Sequence, residues 1–515
     1  MIARSGPQAR RSFLIGLLGA AASVALTTAC GSSAATATST AASSSAQATT
    51  NQPASTQATA SSAPTSAQAT TIASTAAAPT AAPTPAPTAA ATAAPAGGKS
   101  VVQPLLPGDP QYVDAWKQIF TNFQTKQPGI TVDPIFTTQN YDDKTVALVA
   151  ANTPPGLWSA WGDTGIKHWA AKGLVENLDP YIQRDKFDLS VFNDQYLPYM
   201  KFEGHTISLP LEEFPFNVYY DKTIFQKVGA APPSTDWNDK SWTWDKFLEL
   251  AKALTRSDGG KTSQWGIGSA GFSGARFSAM LFGGDWFPED GYLTGWIKEF
   301  TGNTPEVIQA YQYLSDLSYK YHVAPTADEQ KANGGVSKMF MAGLIGMTIS
   351  DANFFETLRR GAPGLDWGVA AVPLPPIKPR RTLIWVGNYG FFQGVKNRDA
   401  AWQLLKYVET PEAQVIYPLQ SGPVPSLKSL AGDWIKLRQQ SNKQTADVLQ
   451  VAIDAIPVSH ISADNYTVNW TDLDKVVSKP MGDVLTGKQD AQTAIQSLTA
   501  AAQEAIKLSS AAATS

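Results

Sequence analysis

Between Gly31 and Gly98 the chain carries no Asp, Glu, Lys or Arg and consists almost wholly of Ala, Ser, Thr, Pro and Gln. Such a stretch lacks the large apolar side chains whose burial offsets the entropy of ordering a backbone, so it is expected to be disordered. The Pro-rich part from Pro79 to Pro95 stiffens it towards extended polyproline conformations. Anything that folds must come from the residues on either side of this spacer.

The residues before it read as an address. Arg10-Arg11-Ser12-Phe13-Leu14 precedes the apolar run Ile15 to Leu26, which Gly16 and Gly19 interrupt. A basic start and a short, small-residue-rich apolar stretch predict a signal peptide over residues 1–29. The run is too short for a comfortable membrane span. The paired arginines point to the twin-arginine export route. Ala29-Cys30-Gly31 resembles a bacterial lipobox, although Thr27 holds the place that is usually aliphatic. Residues 30–98 are then a tether, lipidated at Cys30, between the outer face of the cell membrane and a domain over 99–515.

That domain has the means to build a core, with 43% hydrophobic residues in the whole chain. Cys30 is the sole cysteine, so no intramolecular disulfide supports it. The net charge of -3 gives no clustered positive field for nucleic acid. His168, His205, His322 and His460 are scattered without ligand spacing, which argues against a metal site and leaves no cofactor expected. No repeat and no long apolar span appears. From Val101 onward short strand-like runs alternate with helical ones, predicting an α/β architecture. Asp109-Pro110 opens a helix with Val113, Trp116, Phe120 and Phe123 on one face. Ile130 to Phe136 reads as a strand, Asp142 to Ala151 as a helix, Leu157 to Trp161 as a buried strand and Thr164 to Lys172 as a helix. Lys222 to Val228 is a short helix closed by Gly229, and Thr243 caps the next one. Met347 to Ser350, Gly368 to Val372 and Ile384 to Phe392 are strand-like.

Three groups of segments carry a family resemblance. The first is Gln127-Pro128-Gly129-Ile130-Thr131-Val132 with Ala151-Asn152-Thr153-Pro154-Pro155-Gly156. The second is His205-Thr206-Ile207-Ser208-Leu209-Pro210, then Tyr219-Tyr220-Asp221-Lys222-Thr223-Ile224-Phe225 and Thr243-Trp244-Asp245-Lys246-Phe247. The third is Met339 to Met347, then Trp367-Gly368-Val369-Ala370-Ala371-Val372-Pro373 and Ala401 to Tyr407. In this order they resemble the extracellular solute-binding proteins of ABC importers, in the sugar-binding family that includes maltose-binding protein. The resemblance covers residues 101 to 507. It implies a periplasmic-binding-protein-like fold: two α/β lobes joined by a hinge of three crossings, with a ligand cleft between them. The crossings are expected near Phe216-Asn217, Trp385-Gly387 and Pro423-Ser426, with lobe 1 over 99–215 and 388–422 and lobe 2 over 218–384 and 427–515. It also implies a monomer that hands a small solute, a sugar oligomer or polyol, to ABC permease subunits, with no enzymatic activity.

A sugar presents hydroxyls and an apolar patch of C–H groups on each ring face, so its site needs flat aromatic platforms beside carboxylates and amides. In α/β lobes these belong at strand ends. The candidates are Trp161 and Asp163 after the strand at Leu157, then one of Glu212 and Glu213, since adjacent strand residues point to opposite faces. Asp285 and Trp286 follow, with Trp286 at the place where the family carries a stacking aromatic. Asp351 and Asn353 follow the strand ending at Ile349, and Trp385, Asn388 and Tyr389 lie in the second crossing. Asn140 and Tyr141 complete the set.

Other chemistries fit less well. Gly266-Ile267-Gly268-Ser269-Ala270-Gly271 matches a dinucleotide fingerprint, but Ser257 to Lys261 is too polar for a full-length buried strand to feed it. A glycoside hydrolase needs two carboxylates across a bond, which Asp163, Glu212 or Glu213, Asp285 and Asp351 could supply without any mark of acid or nucleophile. Gly271-Phe272-Ser273-Gly274 lacks esterase spacing. A surface polysaccharide-binding protein would suit the long spacer.

Overall fold

Asp109, extended at φ -67° and ψ 138°, opens the first long helix with Pro110 in its first turn, where a missing N–H costs nothing. The computed structural model describes residues 99–159, 165–268, 275–376, 379–442, 444–462 and 466–513; the expected signal segment, Cys30 and the expected tether lie outside them. In the first part of the chain, β1 (Pro104–Pro107) leads to helix α1 (Pro110–Lys126), β2 (Ile135–Thr137), α2 (Tyr141–Ala150), β3 (Leu157–Ser159) and α3 (Ile166–Ala171). Then come β4 (Leu209–Pro215) and β5 (Asn217–Asp221), α4 (Trp244–Leu254), β6 (Lys261–Ile267) and α5 (Glu289–Thr294). The rest of the frame is β7 (Ile345–Ser350), α6 (Asn353–Gly361), β8 (Trp367–Ala370), β9 (Thr382–Gly390), β10 (Val424–Pro425) and β11 (Ser459–Ile461).

Two sheets result. One runs β10-β4-β9-β3-β1-β2, with β11 also paired to β9; the other runs from the edge strand Arg256–Asp258 through β6-β7-β5-β8. β1 is parallel to β2 and β3, and β6 is parallel to β7, while β9 runs antiparallel to β3 and β4. Each sheet serves its own core. The first contains Leu105, Trp116, Trp158, Leu211, Tyr389 and Trp402; the second contains Val218, Phe247, Ile267, Tyr311, Ile349 and Val369. This is the periplasmic-binding-protein-like arrangement of two α/β lobes.

The chain passes between the cores where Leu211 gives way to Phe216, and again within β9, whose Ile384 and Val386 belong to the second core and Tyr389 to the first. The third passage is not a clean step. Val424 joins the second core, Leu427 and Leu430 return to the first, and Trp434 re-enters the second. Tyr196 and Met200, expected with the first lobe, also pack into the second core.

The strand expected over Ile130 to Phe136 is two short strands, Ile130–Val132 and Ile135–Thr137. Pro134 has no N–H for a ladder and separates them. β6 is longer than the sequence suggested, because its exposed first residues pair with the edge strand Arg256–Asp258. Among the described residues no helix is long and apolar enough to cross a membrane.

Candidate functional site

Because β1, β2 and β3 are parallel, their carboxyl ends lie on one edge of the first sheet, at Pro107, Thr137 and Ser159. Tyr141, wholly buried, ties this edge together by donating from its hydroxyl to the carbonyls of Leu105 at 2.7 Å and Ser159 at 3.1 Å. It is therefore a structural pin, correcting its place among the ligand contacts. Asn140 precedes it in the left-handed region at φ 54°. Trp161 and Asp163 lie outside the described residues.

In the second sheet the parallel pair β6 and β7 ends at Ile267 and Ser350. Asp351 accepts from the backbone N–H of Asn353 at 2.8 Å, and its own carbonyl accepts from the Tyr219 hydroxyl at 2.9 Å. Asn353 begins α6, and its amide oxygen is buried with no hydrogen-bond partner among the described residues. Trp385 on β9 stays partly exposed, its ring meeting Phe216 edge-on at 4.9 Å and 89°. A half-open indole, an amide oxygen without a partner and the two sets of strand ends are the features best suited to a polyhydroxylated solute.

Several expected contacts are interior groups instead. Trp286 is 2% exposed and packs against Phe300 and Tyr311 at 5.6 and 5.4 Å, so it belongs to the second core and is not an open stacking platform. Tyr389 is buried in the first core against Trp116. Asn388, also buried, donates to the Tyr466 hydroxyl at 3.0 Å. The two glutamates do point to opposite faces of β4, but neither reaches an open cleft. β4 is paired along both edges by β9 and β10, and the burial of both glutamates shows that packing covers both of its faces. Glu212 accepts from the Tyr389 hydroxyl at 3.3 Å and Glu213 from the Asn193 amide at 2.8 Å. Burial pushes each carboxyl up to about 8, against which those single hydrogen bonds act weakly.

Asp285 belongs to a cluster that the sequence did not announce. It accepts from the Tyr292 hydroxyl at 2.9 Å, and burial raises it to about 6. Beside it Glu289 accepts from His460 at 2.7 Å and from the Tyr199 hydroxyl at 2.6 Å. The His460 hydrogen bond holds Glu289 down at about 2. Burial alone would lower His460, but the Glu289 hydrogen bond and the charges of Asp285 and Glu289 raise it. These residues come from α5 and the turn before it, β11 and the segment before β4, and only tertiary structure joins them. Among the described residues no group of His, Cys, Asp and Glu is arranged to hold a metal ion.

Known proteins give this geometry a context. The sequence model of the bacterial extracellular solute-binding proteins matches residues 109–415. A binding protein of Brucella abortus is 24% identical over 322 residues, covering 61% of this chain and 73% of its own length. The maltotriose-binding protein of Pyrococcus abyssi is 27% identical over 295 residues, 55% of this chain and 57% of its own. An ABC substrate-binding protein of Listeria monocytogenes, solved in complex with cycloalternan, superposes with a TM-score of 0.66 at 19% identity, covering 79% of this chain and 99% of that one.

Proposed function

This chain belongs to the bacterial extracellular solute-binding protein family, and from that footing we propose that it captures a sugar by closure of its two lobes and delivers it to an ABC permease. The observation that carries the reading is the family match across 109–415 on two cores that share strand β9. The sugar rests on maltotriose as the named ligand of one relative, on the partly exposed Trp385 and on the buried Asn353 amide oxygen that has no hydrogen-bond partner among the described residues. A ring face stacks on an indole and hydroxyls bond an amide. Trp161 and Asp163 complete the site in this proposal, with Asp351 and Asn353 on the second lobe.

The test is a thermal-shift screen of the purified protein against sugars, polyols, peptides and polyamines. Saturation at about a hundred times Kd should add about 2.7 kcal/mol of stability. Trp385→Ala should weaken the best sugar about tenfold, in line with the energy of an aromatic contact. Stabilisation by peptides or polyamines alone would overturn the sugar assignment. Release of reducing ends from an oligosaccharide would overturn the absence of turnover.

In the same reading the chain is exported through its twin-arginine segment and held at the outer face of the membrane by lipid on Cys30. Cys30→Ala removes the thiol to which that lipid would be attached. That variant should move from the membrane fraction to the soluble fraction, with the solute-binding domain unchanged; retention at the membrane would refute the anchor.

A further inference from the structure

Lys167 on α3 has no exposed surface, yet it does not serve the core of its own lobe. Its neighbours Ile166 and Trp169 pack into the first core, while its ammonium crosses to the second lobe. There Nζ donates to the carbonyl of Tyr292 at 2.8 Å and to that of Leu293 at 3.0 Å. These are carbonyls in the last turn of α5, which the helix itself leaves without partners. Tyr292 lies in the second core. Gly295 caps α5 in the left-handed region at φ 86°, and a Cβ there would stand 2.7 Å from Lys167 Cδ, so the bare backbone lets the lysine stem through.

Around it, His168 Nδ1 lies 3.3 Å from the carbonyl of Val468 and Trp296 packs on Phe202 at 6.4 Å; Val468 and Trp296 both pack with the first core, so the segment that follows α5 rests on the lobe that carries Lys167. A desolvated ammonium is expensive to bury, and here burial brings it down to about 7. Separating the lobes would return it to water and strip α5 of both hydrogen bonds.

We propose that Lys167 is the closing latch between the lobes: a positioning residue that sets the closed population, and through it the affinity for solute, without touching the solute. The latch depends on the two-lobe fold and not on the ligand being a sugar, so it is tested without any ligand.

The experiment uses the full chain with Cys30→Ser and spin labels on cysteines placed at Lys117 and Lys331, which are exposed on the first and second lobes. Interlobe distances are read by double electron–electron resonance. The parent should populate a distance matching this structure. Lys167→Met, which keeps the length and removes the donors, should lower the ratio of short to long distances about tenfold, the size expected for hydrogen bonds from a charged group. Lys167→Arg should restore part of it, and the melting temperature of both should stay within a few degrees of the parent. An unchanged distance distribution in Lys167→Met overturns the latch. So does a variant that melts far lower with the parent's distances, which would make Lys167 a fold residue.

Discussion

Raising the pH from 5 to 9 is expected to destabilise the folded protein by on the order of 4 kcal/mol for each of Glu212 and Glu213. Both carboxyls are buried on the central strand β4, and burial raises each to about 8. The folded state therefore holds protons that the unfolded chain releases near pH 4.5. Their contribution is fully present below that pH and is lost as the pH climbs through 8. Glu409, wholly buried and also raised by burial, adds to the same slope. Urea unfolding at pH 5, 7 and 9 measures it. Glu212→Gln with Glu213→Gln should leave stability at pH 5 nearly unchanged and flatten the loss above pH 7. A parent protein equally stable at pH 5 and 9 would mean that these carboxyls find water or a cation in the folded state.

The second large effect is steric. A Cβ at Gly266 would lie 1.9 Å from the backbone oxygen of Ala251 and 2.5 Å from its carbonyl carbon. These are backbone atoms of α4 packed on β6, and no rotamer change relieves the clash. Gly266→Ala should cost about 3 kcal/mol, lowering the melting temperature by about 3–4 °C for a folded part of this size. Gly482, inside the helix Trp470–Leu485 with open space at its Cβ position, is the control. Gly482→Ala should stabilise by about 0.5–1 kcal/mol. A melting temperature for Gly266→Ala equal to the parent's would show that α4 can lift off the strand freely. The first glycine of the apparent dinucleotide fingerprint thus has a packing role.

Local chemistry made much of the fold legible. Helix Lys222–Val228 has the ends its sequence predicts, because Asp221 accepts from the N–H groups of Thr223 and Ile224 and Gly229 closes it at φ 68°. The family motifs likewise gave the two-lobe frame. The site was read less well, because exposure is a tertiary property. Gly-Gly-Asp-Trp-Phe reads the same whether its Trp lines a cleft or meets Phe300 and Tyr311. The pair Glu212 and Glu213 shows its alternation in sequence but not the packing that buries both faces of β4. The Glu289–His460 contact spans segments with no periodic link, and nothing in either segment marks it. Lys167 looked like one more helix lysine; only the path of α5 makes it an interlobe group.

Strand β9 has one more consequence. It is a single hydrogen-bonded ribbon with its first half rooted in one core and its last residues in the other. The first lobe cannot be excised as one stretch with its sheet whole, since its strand β9 arrives only after the second lobe's sheet has been laid down. During synthesis the amino-terminal core must therefore wait, incomplete, for residues near 390. A chain of this build is poorly suited to folding lobe by lobe on the ribosome, and well suited to an export route that carries its passengers across already folded.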